Sequence, residues 1–152
     1  MLIVEPADPH APGPRALIEA SHAMMRDMFA PEENHFLDLD ALAAPDIRFF
    51  AAREGAQVLG TGALLLRDGY GEVKTMFTAP SARGRGVGSA LLRAIEDEAH
   101  NHGLSLLRLE TGRGLDAALG LYQRAGFAPC AAFGDYRPNA TSIFMEKRLQ
   151  AG

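Results

Sequence analysis

Seven residues constrain this chain more than any other stretch: Arg83-Gly84-Arg85-Gly86-Val87-Gly88-Ser89. They follow a strand-like run that ends at Ala79-Pro80. They open a segment in which Val87, Leu91, Ala94, Ile95 and Ala99 share one helical face and Arg93, Glu96, Asp97 and His100 the other. A glycine-rich turn between strand and helix restricts the chain to folds that mix the two. It also leaves the first backbone N–H groups of the helix unpaired, at the positive end of the dipole. Glycines let an anion approach the backbone closely, and Arg83 and Arg85 add charge. The combination is a phosphate cradle. It is neither the dinucleotide fingerprint, whose last glycine is Ser89 here, nor the P-loop, whose Gly-Lys-Ser/Thr is absent. The plainer alternative is a flexible turn with two solvated arginines, and the flanking strand and amphipathic helix weigh against it.

The rest of the chain supplies the frame. Leu2–Val4 reads as an edge strand. A helix runs from Pro14, carrying Leu17, Ile18, Met24, Met25, Met28 and Phe29, and stops at Pro31; Phe36, Leu37, Leu39 and Leu42 suggest a short second helix before Pro45. Ile47–Arg53, Gln57–Leu66 and Tyr70–Thr78 are strands joined by turns at Glu54-Gly55 and Asp68-Gly69. In the third, Val73 and Phe77 share one parity, while Glu72, Lys74, Met76 and Thr78 share the other. After the helix Gly86–His102 come a strand (Leu104–Glu110), a helix (Leu115–Ala125) and two strands (Phe127–Phe133, Ser142–Leu149). The order β-α-α-β-β-β-α-β-α-β-β is an α/β (α+β) domain with a mixed sheet, not a doubly wound nucleotide fold.

Length and composition bound the function. At 152 residues the chain forms one domain, spanning 1–152, with enough core to need no disulfide or metal. A net charge of -4 and only two lysines, Lys74 and Lys147, leave no basic face for nucleic acid or anionic membrane. No apolar run reaches a membrane span or a signal-peptide core, so a cytoplasmic protein is expected. The single cysteine, Cys130, sits in an apolar run without a neighbouring histidine and reads as a buried small hydrophobe. His100 and His102 point to different helix faces and make a poor metal pair; no metal is expected.

Arg83-x-x-Gly86-x-Gly88, flanked by Glu72–Pro80 and Ala90-Leu91-Leu92, resembles the acetyl-CoA pyrophosphate signature of the GNAT superfamily, the Gcn5-related N-acetyltransferases. Leu121-Tyr122-Gln123-Arg124-Ala125-Gly126-Phe127 is similar to that family's second signature. Asn34–Asp38, Arg108–Gly112 and Phe133–Tyr136 resemble one bacterial branch, some of whose members are labelled indole-3-acetic acid acetyltransferases. One position departs: many members carry Asn seven residues before the motif tyrosine, where this chain has Leu115.

The resemblance implies a single-domain GNAT-like fold and direct acetyl transfer from acetyl-CoA, the cosubstrate, to a primary amine of a small molecule or peptide. Met76, Phe77 and Thr78 would pair with the pantetheine arm at a bulged strand, a backbone N–H near Met76 would meet the oxyanion, and Arg83, Gly84, Arg85, Gly86, Val87, Gly88 and Ser89 would hold the pyrophosphate. Glu72, eleven residues before Arg83, is the candidate base, with His35 or a water relay as alternatives. Tyr122 would protonate the leaving thiolate. Phe29, Asn34, His35, Phe36, Tyr136 and Arg137 are nominated for the acceptor site. The other reading kept in play is a CoA-binding sensor or regulatory module without turnover. The oligomeric state stays open between monomer and homodimer.

Overall fold

Alternation of apolar residues along the strands, and their recurrence at helical spacing elsewhere, produce the expected element order. A computed structural model describes residues 1–150. It contains β1 (Leu2–Pro6), α1 (Pro12–Met28), α2 (Leu39–Leu42), β2 (Ile47–Glu54), β3 (Gln57–Leu66), β4 (Gly71–Thr78), α3 (Val87–Asn101), β5 (Leu106–Gly112), α4 (Asp116–Arg124), β6 (Ala128–Pro129) and β7 (Ser142–Arg148). The strands form one sheet in the order β1-β2-β3-β4-β5-β7-β6. Every pairing is antiparallel except β4 with β5, the two strands linked by the α3 crossover.

Period-two alternation sends each strand's side chains to two layers. On β3, Leu64 joins Val87, Leu91, Leu92 and Ile95 of α3 in the larger core. Its neighbours Ala63 and Leu65 join Ile18 of α1, Leu42 of α2 and Phe49 in the smaller one. Each buried Leu or Ile contributes about 1.5–3 kcal/mol. That face, more than helix propensity, therefore holds α3 on the sheet.

Four local expectations are corrected. First, α1 starts at Pro12 and ends at Met28, three residues before Pro31. A residue before proline is driven out of the helical region, and Ala30 and Phe29 are both extended. Second, α2 spans only four residues, because the Asp38 carboxylate accepts from Ala41 N–H at 2.8 Å and caps the helix there. Phe36 and Leu37 lie in the preceding loop, with Phe36 stacked on His22 at 4.1 Å. Third, β6 keeps only two residues. Pro129 has no N–H for the ladder. Cys130 makes one last backbone bond, to Phe144 O at 2.9 Å, and the chain then folds back across the sheet. Cys130 is thus half-buried just past the strand, not inside it.

The fourth concerns β4. Ala63 pairs with Lys74, but Thr61, two residues earlier on β3, pairs with Phe77, three residues later on β4. One extra residue sits on β4, and Thr75 there takes φ 57°. The bulge breaks the simple parity: Val73 and Met76 both pack on the α3 side. The parallel pairing with β5 stops at Val73, opposite Leu109. Beyond that point β4 and β5 diverge, and a cleft opens between them.

Candidate active site

The turn after β4 forms the first wall of the cleft. Gly84 and Gly86 both adopt left-handed backbone (φ 79° at each), and Gly86 caps α3 without any side-chain partner. The first intrahelical bond is Ala90 N–H to Gly86 O at 3.1 Å. The N–H groups of Val87, Gly88 and Ser89 precede it and are open to an anion. Arg83 lines the cleft beside them. Arg85 does not: its guanidinium turns to the Glu54 carboxylate. Gly88 has a different role from Gly86. A Cβ on Gly88 would lie 2.7 Å from Leu121 Cδ2, whereas one on Gly86 would meet no atom within 4 Å. Gly88 therefore lets the start of α3 close onto α4, and Gly86 supplies the turn.

From this turn a cavity of about 630 Å³ runs along Thr78, Phe77 and Met76 to the bulge, then down to Glu110, Thr111 and Tyr122. Met24, Met25 and Met28 of α1 form the opposite wall. Met76, Phe77, Thr78, Arg83, Gly84, Gly86, Val87, Gly88 and Ser89 are thus brought together on one cleft, and Arg85 is left outside it. The edge of β4 that faces β5 has no strand partner after Val73.

Tyr122 lines the same cleft. The hydrophobic spacing of α4 buries it to 6% exposure, edge-on to Phe127. Burial, and then the charge of Glu110, push its phenol above the usual range. Glu110 lines the same cleft. Burial raises its carboxyl above the ordinary value, against the hydrogen bond that Ser142 Oγ donates at 2.8 Å. Ser142 is itself held by Asn139, whose Oδ1 accepts from Ser142 N–H and whose Nδ2 donates to Ser142 Oγ. Glu110 was not singled out as a site residue from the sequence. The signal that marks it is topological: it lies towards the C-terminal end of the one parallel strand pair, where open sheets place their ligands.

Glu72 faces a second cavity, of about 690 Å³, bounded by the loop around Glu32–Leu37, the loop Gly134–Asn139, and Arg67 and Tyr70. It is 3% exposed. Its Oε2 accepts from the Tyr136 hydroxyl at 2.5 Å and lies 3.3 Å from Lys74 Nζ. Lys74 Nζ also donates to Tyr136 Oη at 2.8 Å and to His35 O at 3.0 Å. Burial, then the Glu72 charge, raise the Tyr136 phenol well above its usual range. His35, Phe36 and Lys74 border both cavities and divide them. Of the residues nominated for an acceptor, His35, Phe36, Tyr136 and Arg137 line this second cavity; Phe29 and Asn34 line neither. The Phe29 ring instead packs where a Cβ of Gly112 would otherwise sit. The Asn34 amide reaches back to Ala30 O at 3.4 Å and Phe29 O at 3.5 Å.

A mixed sheet that parts beyond the parallel pair β4/β5, with a cleft lined by a helix N-terminus and a buried tyrosine, suits a transferase with an extended, phosphate-bearing donor. The comparisons name the family. The pattern of the acetyltransferase (GNAT) family matches residues 16–127. The IAA acetyltransferase of Azospirillum brasilense is 49% identical over 135 residues, covering 88% of each chain. The N-acetyltransferase YedL of Escherichia coli is 40% identical over 152 residues, covering 98% of this chain and 96% of that one. Among solved structures, an acyl-CoA N-acyltransferase of Klebsiella pneumoniae superposes with a TM-score of 0.83 at 32% identity, covering 99% of both chains. This chain belongs to the GNAT family of acetyl-CoA-dependent N-acetyltransferases. Among the described residues no helix is long and apolar enough to cross a membrane.

Proposed function

We propose that this chain moves the acetyl group of acetyl-CoA directly to a primary amine of a small molecule or peptide, within a ternary complex. The observation that carries the reading is a single cleft lined together by Glu110, Tyr122 and the open start of α3. The open N–H groups of α3 and Arg83 hold the pyrophosphate, and the unpartnered edge of β4 at Met76, Phe77 and Thr78 pairs with the pantetheine amides. Glu110 takes the proton of the acceptor ammonium, its raised pKa matching it better to that task than an ordinary carboxylate. The amine nitrogen then bonds the thioester carbon, and a backbone N–H at the bulge near Met76 meets the oxyanion. As the C–S bond breaks, Tyr122 gives its phenolic proton to the thiolate; its own high pKa keeps that proton in place until then. The cavity beside Tyr136, Arg137 and His35 receives the acceptor. We place the reaction in the cytoplasm.

The test is thiol release from acetyl-CoA against amino acids, polyamines, aminoglycosides and peptide N-termini, with IAA as one more arm because the Azospirillum relative bears its name. At least one amine accelerates release over the amine-free rate, and Glu110→Gln and Tyr122→Phe each suppress that acceleration. Stabilisation by acetyl-CoA without acceleration by any amine would instead describe a cofactor-binding module.

A further inference from the structure

Glu72 Oε2, the Lys74 ammonium and the Tyr136 hydroxyl are engaged with one another. Lys74 carries three N–H donors, and three protein oxygens face them: His35 O at 3.0 Å, Tyr136 Oη at 2.8 Å and Glu72 Oε2 at 3.3 Å. The Tyr136 hydroxyl accepts from Lys74 and donates to Glu72. Glu72 Oε2 thus accepts from the Tyr136 hydroxyl and is ion-paired with the Lys74 ammonium. Side-chain exposures of 10% for Lys74 and 3% for Glu72 keep water from competing.

These bonds join three distant parts of the chain. Glu72 and Lys74 lie on β4 just before the bulge. His35 belongs to the loop that follows α1, and Tyr136 to the loop between β6 and β7. Neither loop belongs to a strand ladder. Tyr136 adds an edge-on contact with the His35 ring at 5.2 Å and packs on Phe133 and Phe144. At its other end the Tyr136 loop places Asn139 on Ser142, the residue that bonds Glu110.

We propose that Glu72, Lys74 and Tyr136 are positioning residues: a latch that fixes both acceptor-side loops on β4 and sets the affinity for the acceptor without exchanging a proton with it. The proposal rests on the reading that the cavity of about 690 Å³ receives the acceptor.

The experiment has two arms. In the first, backbone hydrogen exchange is measured without any acceptor, in the presence of acetyl-CoA. Lys74→Met speeds exchange in both loops, 31–38 and 134–140. Tyr136→Phe, the milder change, speeds it in 134–140 while leaving α3 and the thermal shift by acetyl-CoA in place. In the second arm, with an amine accepted in the thiol-release panel, Tyr136→Phe raises the acceptor KM about tenfold or more while kcat changes by less than about threefold. Glu72→Gln keeps the acidic limb of the kcat profile where the wild type has it. Wild-type exchange in 134–140 of Tyr136→Phe overturns the latch. So does Lys74→Met opening only one loop. A loss of about a hundredfold or more in kcat with Glu72→Gln, together with loss of the acidic limb, makes Glu72 the base and overturns it as well. If no amine is accepted, the transfer reading fails on its own, and the exchange arm still decides the latch.

Discussion

Gly86 and Gly88 stand two residues apart in one motif, and the structure gives them separable roles. Gly86→Ala places an L-residue at φ 79°, ψ 13°. Left-handed backbone costs such a residue about 1–2 kcal/mol. Since nothing lies within 4 Å of the added Cβ, the fold absorbs that cost locally. At about 2–4 °C per kcal/mol for a chain of this size, the free protein melts ~2–8 °C lower. Acetyl-CoA at a hundred times its Kd adds ~2.7 kcal/mol to the wild type, a rise of about 5–11 °C. In Gly86→Ala that rise is at least halved, because relaxing φ turns the N–H groups of α3 away from the anion. Gly88→Val acts elsewhere. Its Cβ meets Leu121 Cδ2 at 2.7 Å, an overpacking of about 1–3 kcal/mol, trimmed by a few tenths because valine is a better helix former than glycine. The free protein again melts lower, yet acetyl-CoA still raises its Tm by more than half the wild-type increment. What falls is kcat, because Leu121 precedes Tyr122 on α4, and misplacing a reacting group by 1 Å costs about a hundredfold. Differential scanning fluorimetry with and without acetyl-CoA, plus thiol release, reads both variants. A full ligand increment in Gly86→Ala would refute the cradle. An unchanged free Tm in Gly88→Val combined with loss of the ligand increment would make Gly88 a phosphate-approach residue and discard the Leu121 argument.

Tyr122→Phe keeps the packing on Phe127 and removes only the hydroxyl, so kcat and kcat/KM fall together by about 10²–10⁴-fold while the acetyl-CoA thermal shift is retained. Wild-type kcat would assign the thiolate's proton to water. Glu110→Gln lowers kcat over a similar range and abolishes the acidic limb of kcat/KM. Because the folded state raises the Glu110 pKa, its contribution to stability is present below the ordinary value of 4.5 and is lost as pH rises through the folded value. The Gln variant therefore gains Tm relative to wild type at pH 7 but not at pH 4, and an equal difference at both would contradict the raised carboxyl. His22 is buried, stacked on Phe36, with Nε2 unpartnered, and burial holds its pKa below 6.5. Here the unfolded chain takes the proton more readily, so the stability is present above pH 6.5 and is lost as pH falls towards the folded value. His22→Phe flattens the Tm–pH curve in that window; a curve as steep as wild type would place the titration on another group.

What the sequence made legible was local. The turn Arg83–Ser89 and the buried face of α3 are each patterns within about two helical turns, and periodicity reports the second. Long-range pairs were not legible. Arg85 meets a carboxylate 31 residues away, and Tyr136 meets one 64 residues away. No pattern in either segment says that the first leaves the cradle or that the second occupies Glu72. The bulge was implied by the family resemblance and not by composition, since Thr75 is β-branched and disfavours positive φ. Phe29 and Asn34 are nominated because the resemblance places the first two helices around the acceptor, but α1 ends at Met28, and both residues turn towards packing and backbone bonds.

The strain at Thr75 explains why one strand can serve both cavities. A non-glycine residue held at positive φ costs about 1–3 kcal/mol and persists only where its surroundings enforce it. Here Thr61 Oγ1 donates to Thr75 O at 3.1 Å from the adjacent strand, while Met76 is packed into the α3 core. On an unbroken strand, alternation would set Val73 and Met76 on opposite faces. The extra residue lets both pack towards α3. Lys74 remains before the bulge, fixed to Tyr136 and His35. It also ends the pairing with β5 after Val73, leaving the edge of β4 that the donor amides would otherwise find occupied. A straight strand would keep the parallel ladder and close the cleft. In the proposed reaction the strained residue separates the donor cleft from the acceptor cavity, and Glu110, on the strand from which β4 parts, lines the donor cleft.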